Sequence, residues 1–220
     1  MMPRKIIYMS LLCLAAFMLH PSSVCAERIS AAAETKSLAG WKEYIFKGQT
    51  LYSMDSSLAS GVIKASCITT ASALYQENAA DLRKTPILRW SWKVDGVHSQ
   101  LQEREKSGDD YSARVYAVYT PNRFMPWRTL AVDYVWSNNQ DISSVWRNAF
   151  TNNAVMIALQ SGAPKSGQGW KHESRNIRED FKAFFDIEVD SIDGIAIMTD
   201  CDNGQLPMTG YYKDIHFTTE

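Results

Sequence analysis

From Trp41 onward, apolar and polar residues alternate in short runs separated by turn residues: WKEYIFKG, TLYSM, GVIKASCIT, ILRWSWKV, YSARVYAVYT, RTLAVDYVWS, NAVMIALQS, GWKHESRNI, DGIAIMTD and YYKDIHF. A period of two sends successive side chains to opposite faces of a strand. About ten such runs predict an all-β fold, an antiparallel sandwich or barrel. Long helical patterns do not intervene, which argues against a parallel α/β sheet. One segment breaks the rule. In NIREDFKAFF, Asn176 can cap a helix with Glu179 three residues on, and Ile177, Phe181, Phe184 and Phe185 form an apolar stripe. A short helix is expected over 177–185, packed on the sandwich, and ENAADLRK (77–84) can form a further helical turn. The stretches 122–128 and 137–153 read as loops, the second long enough to bear on function.

The run at 106–120, KSGDDYSARVYAVYT, places an arginine inside a strand. Strict alternation puts Tyr111, Ala113, Val115, Ala117 and Tyr119 on a core face and Asp110, Ser112, Arg114, Tyr116 and Val118 on the other. In LRWSWKV, Trp90 and Trp92 share a face with Leu88 and Val94 and read as core.

The chain opens with Arg4 and Lys5, an apolar run from Ile6 to Leu19, and HPSSVCAE, with Val24 and Ala26 where a signal peptidase reads small residues. Residues 1–26 are therefore expected to be a signal peptide, 27–39 a mobile leader and 40–220 a single domain. The run is shorter than the ~20 residues of a spanning helix, so no transmembrane segment is expected in the mature chain. The expected destination is secreted or periplasmic. Removing 1–26 takes two of the 23 basic residues and none of the 24 acidic ones. The resulting negative, unclustered balance excludes a nucleic-acid binder. Hydrophobic residues at 45% and charged residues at 21% describe an ordinary globular domain. Two cysteines, Cys67 and Cys201, remain after cleavage. In an oxidising compartment they can pair, or each can be a small buried hydrophobe on its own strand.

Several enzyme signatures are absent. No HExxH or GxSxG occurs, and His98, His172 and His216 are far apart without ligands at metal spacing. SGAPKSGQG has Gln168 and Gly169 where a phosphate loop needs Lys and Ser or Thr. DCDNG lacks the later ligands of an EF-hand, which leaves a shorter Asp-based Ca²⁺ site as a minor reading and otherwise no cofactor. What remains is a set of polar groups at strand ends: Asp109, Asp110, Arg114, Asp200, Asp202 and Asn203, with Trp136 beside SNN as a stacking surface. Arg114 can equally be a structural partner of Asp110 or Asp200.

In order, LRWSWKV, EKSGDDYSARVYAVY, LAVDYVWS, RNIREDFKAFF, IDGIAIMTDCDNG and YYKDIHF resemble the bacterial family of domain of unknown function 3047, from about Trp41 to Phe217. The combination of GDDYSARVY with TDCDN carries the resemblance. It implies an exported jelly-roll-like antiparallel β-sandwich, similar to galactose-binding and carbohydrate-binding modules, with no established reaction. It also implies that Asp109, Asp110, Arg114, Trp136, Asp200, Asp202 and Asn203 hold the characteristic polar positions. Cys201 departs from the Thr or Ser more typical there. The leading expectation is a noncatalytic binding module for a carbohydrate or similar polar ligand. The alternatives are an envelope glycoside hydrolase using two of Asp109, Asp110, Asp200 and Asp202, and a structural envelope protein.

Overall fold

The computed structural model describes residues 38–77, 80–165 and 169–220. Seven strands lie side by side in the order β1 (Lys42–Lys47), β4 (Ala71–Glu77), β11 (Gly194–Asp200), β6 (Arg114–Tyr119), β7 (Leu130–Ser137), β9 (Ala154–Ser161) and β8 (Val145–Arg147). Five more form a second sheet in the order β10 (Lys171–Asn176), β5 (Ile87–Val94), β12 (Met208–Thr218), β3 (Ile63–Cys67) and β2 (Leu51–Met54). The two sheets enclose one large core, to which β5 gives Leu88, Trp90, Trp92 and Val94, and β7 gives Val132, Tyr134 and Trp136. This is the expected all-β sandwich, and Trp90 and Trp92 are core residues as their spacing implied.

Every strand pair is antiparallel except β7 with β9, which run parallel. A parallel pair cannot be joined by a tight hairpin, so residues 138–153 must cross over. The crossover is not wholly a loop, because β8 lies in it and adds an edge strand to β9. β4 is a second strand the alternation did not reveal. ASALYQE contains no β-branched residue, and its first four residues are all buried between β1 and β11. A strand covered on both faces loses the polar alternation that would mark it. ENAADLRK forms no helix among its described residues. Asp81 instead bridges to Ser191, and its carbonyl accepts from the Lys84 and Thr85 amides in a turn.

The helix α1 (Ile177–Phe185) is where the stripe placed it, with the Asn176 side chain accepting from the Glu179 amide. Ile177 and Phe181 are fully buried, while Phe184 and Phe185 pack only partly buried at the edge of the core. Asp180 ties the helix down by accepting from the Tyr134 hydroxyl at 2.6 Å and from Arg175.

Cys67 and Cys201 form a disulfide, with Cα atoms 6.0 Å apart. It joins the end of β3 in one sheet to the residue after β11 in the other. No helix among the described residues is long and apolar enough to cross a membrane. The expected signal peptide and nearly all of the leader lie outside the described residues. Leu38, near the end of the expected leader, is buried against the core.

Candidate functional site

On the outer face of the seven-stranded sheet, away from the core between the sheets, the floor is built from small side chains, among them Ala71, Ala131 and Ala154. Ala131 and Ala154 are paired neighbours on β7 and β9, Ala71 lies on β4 across β11 and β6, and together with the residues between them they bound a cleft of about 420 Å³. That volume suits a small ligand. Aromatic and apolar groups line it from three directions: Tyr44 and Phe46 from β1, Trp127 from the 122–128 loop, and Phe150 from the β8–β9 connection. Trp127 is 58% exposed, an unusual state for the largest apolar side chain.

Arg114 lies at the centre of the floor and is only 3% exposed. Its Nε donates to Asp200 Oδ1 at 2.9 Å and its Nη2 to Asp200 Oδ2, a two-pronged pair across the β6–β11 register. Nη2 also donates to the Asp109 carbonyl at 2.5 Å, and the guanidinium stacks over the Tyr111 ring with Cζ 4.2 Å from its centroid. The remaining nitrogen, Nη1, stands between two further carboxylates, 3.6 Å from Asp109 Oδ2 and 3.8 Å from Asp133 Oδ2. Burial alone would favour a neutral guanidine, but the carboxylates of Asp200, Asp109 and Asp133 outweigh it and hold the pKa above its ordinary value. For Asp200, burial pushes the carboxyl up and Arg114 pulls it down. Both its oxygens receive N–H donors from a permanent cation, so the ionised pair is the state the geometry supports.

Asp133 is different. It is 1% exposed, and neither of its oxygens has a hydrogen-bond partner among the described residues. Burial drives its pKa well above 3.8; Arg114 opposes the shift, as to a smaller extent does the Tyr116 hydroxyl, whose own hydrogen bond goes to Met198 Sδ, and the neighbouring Asp109 and Asp200 add to it. Asp109, also buried, is raised for the same leading reason, and its Oδ1 likewise lacks a partner. Its Oδ2 accepts only a long bond, 3.3 Å, from Asn148. Leaving a buried carboxyl oxygen without a donor is costly, and such groups in a cleft are where ligands complete the pairing.

Of the residues singled out in the sequence, the structure brings Asp109, Arg114, Asp200, Asp202 and Asn203 to the cleft lining. Asp110 turns away from Arg114. Its two oxygens accept from the Asn203 amide, the Asn203 side chain and the Gly204 amide, which makes it the anchor of the 201–204 turn. A Cβ at Gly204 would meet the side-chain end of Leu101 at 2.9 Å and Asp110 Oδ2 at 3.2 Å, so a larger residue there would have to displace Leu101. Trp136 does not belong to the site. It is 2% exposed on the core side of β7, donates to the Gly162 carbonyl and packs on Trp92. The strand's alternation sends Trp136 inward with Val132 and Tyr134, whereas Asp133 faces the cleft. The alternation at 111–119 is also corrected. Residues 111–113 precede β6, and Tyr111 packs with Val135 and Met156 on the outer face rather than with Val115 and Ala117.

Asp133, Trp127, Phe150 and Asn148 were not recovered from the sequence. The available signal for Asp133 was its phase, one carboxylate in the middle of LAVDYVWS, and for Trp127 its place in a loop too short to bury it. Asp110, Asp200 and Asp202 approach one another closely enough for a cation, with ligand atoms within 4.8 Å. Asp110 also accepts from three donor groups and Asp200 from Arg114, so a cation there would share oxygens that already hold protein donors.

The family described as "Protein of unknown function (DUF3047)" matches residues 39–216. The chain belongs to this family. No curated protein matches it. Among solved structures, it is similar to the family 30 carbohydrate-binding module of cellulosomal cellulase Cel9D-Cel44B of Clostridium thermocellum, at 12% identity and a TM-score of 0.47 over 82% of this chain and 92% of that one. It is also similar to the xyloglucanase domain of NopAA from Sinorhizobium fredii, solved with cellobiose, at 8% identity and a TM-score of 0.44 over 82% and 93%. A third is the catalytic domain of Humicola grisea Cel12A, at 11% identity and a TM-score of 0.43 over 81% and 93%.

Proposed function

We propose that the protein binds a carbohydrate, or a similarly hydroxyl-rich ring, in the cleft on the outer face of the seven-stranded sheet. The observation that carries this reading is Asp133, a buried carboxyl on the cleft floor with no hydrogen-bond partner among the described residues, beneath aromatics of which Phe46 and Trp127 are exposed. A sugar presents hydroxyl donors along its edge and an apolar face above and below the ring, so one molecule can satisfy the carboxyls and stack on Trp127 or Phe150. The Arg114–Asp200 pair then serves as scaffold and contributes at most the Nη1 edge. The test is titration of the purified protein with cello-, xylo- and chito-oligosaccharides. Binding lost in Trp127→Ala and in Asp133→Asn, with melting unchanged, supports the reading; no binding to any oligosaccharide refutes it.

A second reading, glycoside cleavage, is favoured by one distance relation. Asp109 and Asp133 flank the same nitrogen, so their facing oxygens are no farther apart than those two contacts combined. That upper bound covers both the ~5–5.5 Å of retaining glycosidases and the lower end of the ~6.5–9.5 Å of inverting ones. Asp110 and Asp200, expected as acid or base on sequence, are both engaged elsewhere. Reducing ends released by the parent and not by Asp109→Asn or Asp133→Asn would favour cleavage over binding alone. We further propose that the chain is exported. The disulfide supports an oxidising compartment, and a mature protein whose intact mass begins at Glu27 is the expected result.

A further inference from the structure

The cleft carries more negative charge than its own cations can balance. Among the described residues lining it, the cations are Lys47 and Arg114 and the anions are Asp109, Asp133, Asp200 and Asp202. Lys47 stands 3.4 Å from Asp202, and Arg114 is committed to Asp200. Asp109 and Asp133 are then left in excess. They share only the flank of Arg114 Nη1, at distances too long for hydrogen bonds, and three of their four oxygens have no hydrogen-bond partner. A neutral hydroxyl can satisfy an acceptor but does not offset a buried charge. A primary ammonium does both, with three donors on one compact cation. The aromatic wall adds a second, independent preference for a cation, because ring faces attract it once water is displaced.

From this imbalance we infer that the ligand bears a free ammonium group, placed against the unpartnered oxygens of Asp109 and Asp133, and is an amino sugar rather than a neutral or acidic one. The inference rests on the reading of the cleft as a sugar site and names the class of sugar. In the empty cleft the excess charge is relieved by protons. An entering ammonium takes their place, so binding releases protons and weakens as the pH falls. The groups facing Asp133 are consistent with this competition. Arg114 and Tyr116 face it from β6, Asp109 from the preceding segment and Asp200 from β11, while its paired residue on β9 is Met156.

The experiment is titration at pH 7 and pH 5 with four probes of known composition: glucosamine hexamer, N-acetylglucosamine hexamer, cellohexaose and spermidine. The glucosamine hexamer is expected to bind at least tenfold more tightly than either neutral hexamer at pH 7, with this advantage shrinking at pH 5. In Asp133→Asn the advantage should fall below threefold while the melting temperature is retained. Equal affinity for the three hexamers, or preference for a neutral one, would overturn the ammonium inference and leave the sugar site standing. Tight binding of spermidine with none of any hexamer would keep the ammonium and discard the sugar. No binding of any probe would refute both.

Discussion

Arg114 and Asp133 approach to 3.8 Å and do opposite things. Arg114 spends its fork on Asp200 and the Asp109 carbonyl, and a buried pair broken on one side leaves an uncompensated charge. Arg114→Met and Asp200→Asn should therefore each lower stability by ~3–5 kcal/mol, read by denaturant unfolding. Asp133 holds its proton more tightly folded than unfolded, because burial raises its pKa well above 3.8. Over that window the native state binds more protons than the unfolded state, so this group makes stability fall as pH rises, with Asp109 acting in the same sense. Asp133→Asn should flatten the decline between acidic and neutral pH and be at least as stable as the parent at pH 7. A steeper decline in the variant would show that the carboxyl is ionised and satisfied in the native state. Of this cluster, Asp109, Arg114 and Asp200 were legible in the sequence as polar groups at strand ends. Which carboxylate would meet the arginine was not. Asp110 and Asp200 are equally good partners on paper, and only the closing of the 201–204 turn on Asp110 separates them.

At the scale of elements, alternation is a reliable guide where one face meets the core and the other meets solvent or a ligand. It located β5, β6, β7, β9 and β11, and the helix stripe located α1. It missed β4, whose ASALYQE has no β-branched residue to mark a strand, and β8, a three-residue edge strand shorter than any detectable period. It also ran past the true start of β6, so that Tyr111 was placed in the core when the chain had not yet entered the sheet. Trp136 was misread for a related reason: polar neighbours in sequence say nothing about the face a strand residue takes. The helix supplies a graded test. Phe181→Ala removes a fully buried ring and should cost ~3–5 kcal/mol, while Phe184→Ala and Phe185→Ala, at half-buried positions, should each cost clearly less. Equal losses at all three positions would mean that the helix face is set differently.

For the whole molecule, the sandwich provides two outer faces, and only the seven-stranded sheet carries the cleft with the orphaned carboxyls. The Cys67–Cys201 disulfide clamps the two sheets at the end of β11, next to Asp200, so it fixes the turn that Asp110 closes. Alkylation of the unreduced, denatured protein should label neither cysteine. Reduction should remove ~2–4 kcal/mol of stability. The sequence offered the pair without the distance, and so left it open. The all-β class was legible because it depends on a repeated local pattern, whereas the cleft depends on which residues meet across strands distant in sequence, such as Ala71 with Asp200 and Ala131 with Ala154.

The central claim is that ligand is held on the outer face of the seven-stranded sheet around Asp133. Backbone amide chemical-shift mapping during titration with the tightest-binding oligosaccharide tests it most directly. Saturable shifts are expected to concentrate at Arg114–Tyr116, Trp127, Leu130–Asp133 and Met198–Asp200. Shifts confined to the outer face of the five-stranded sheet, along β10, β5 and β12, would contradict it.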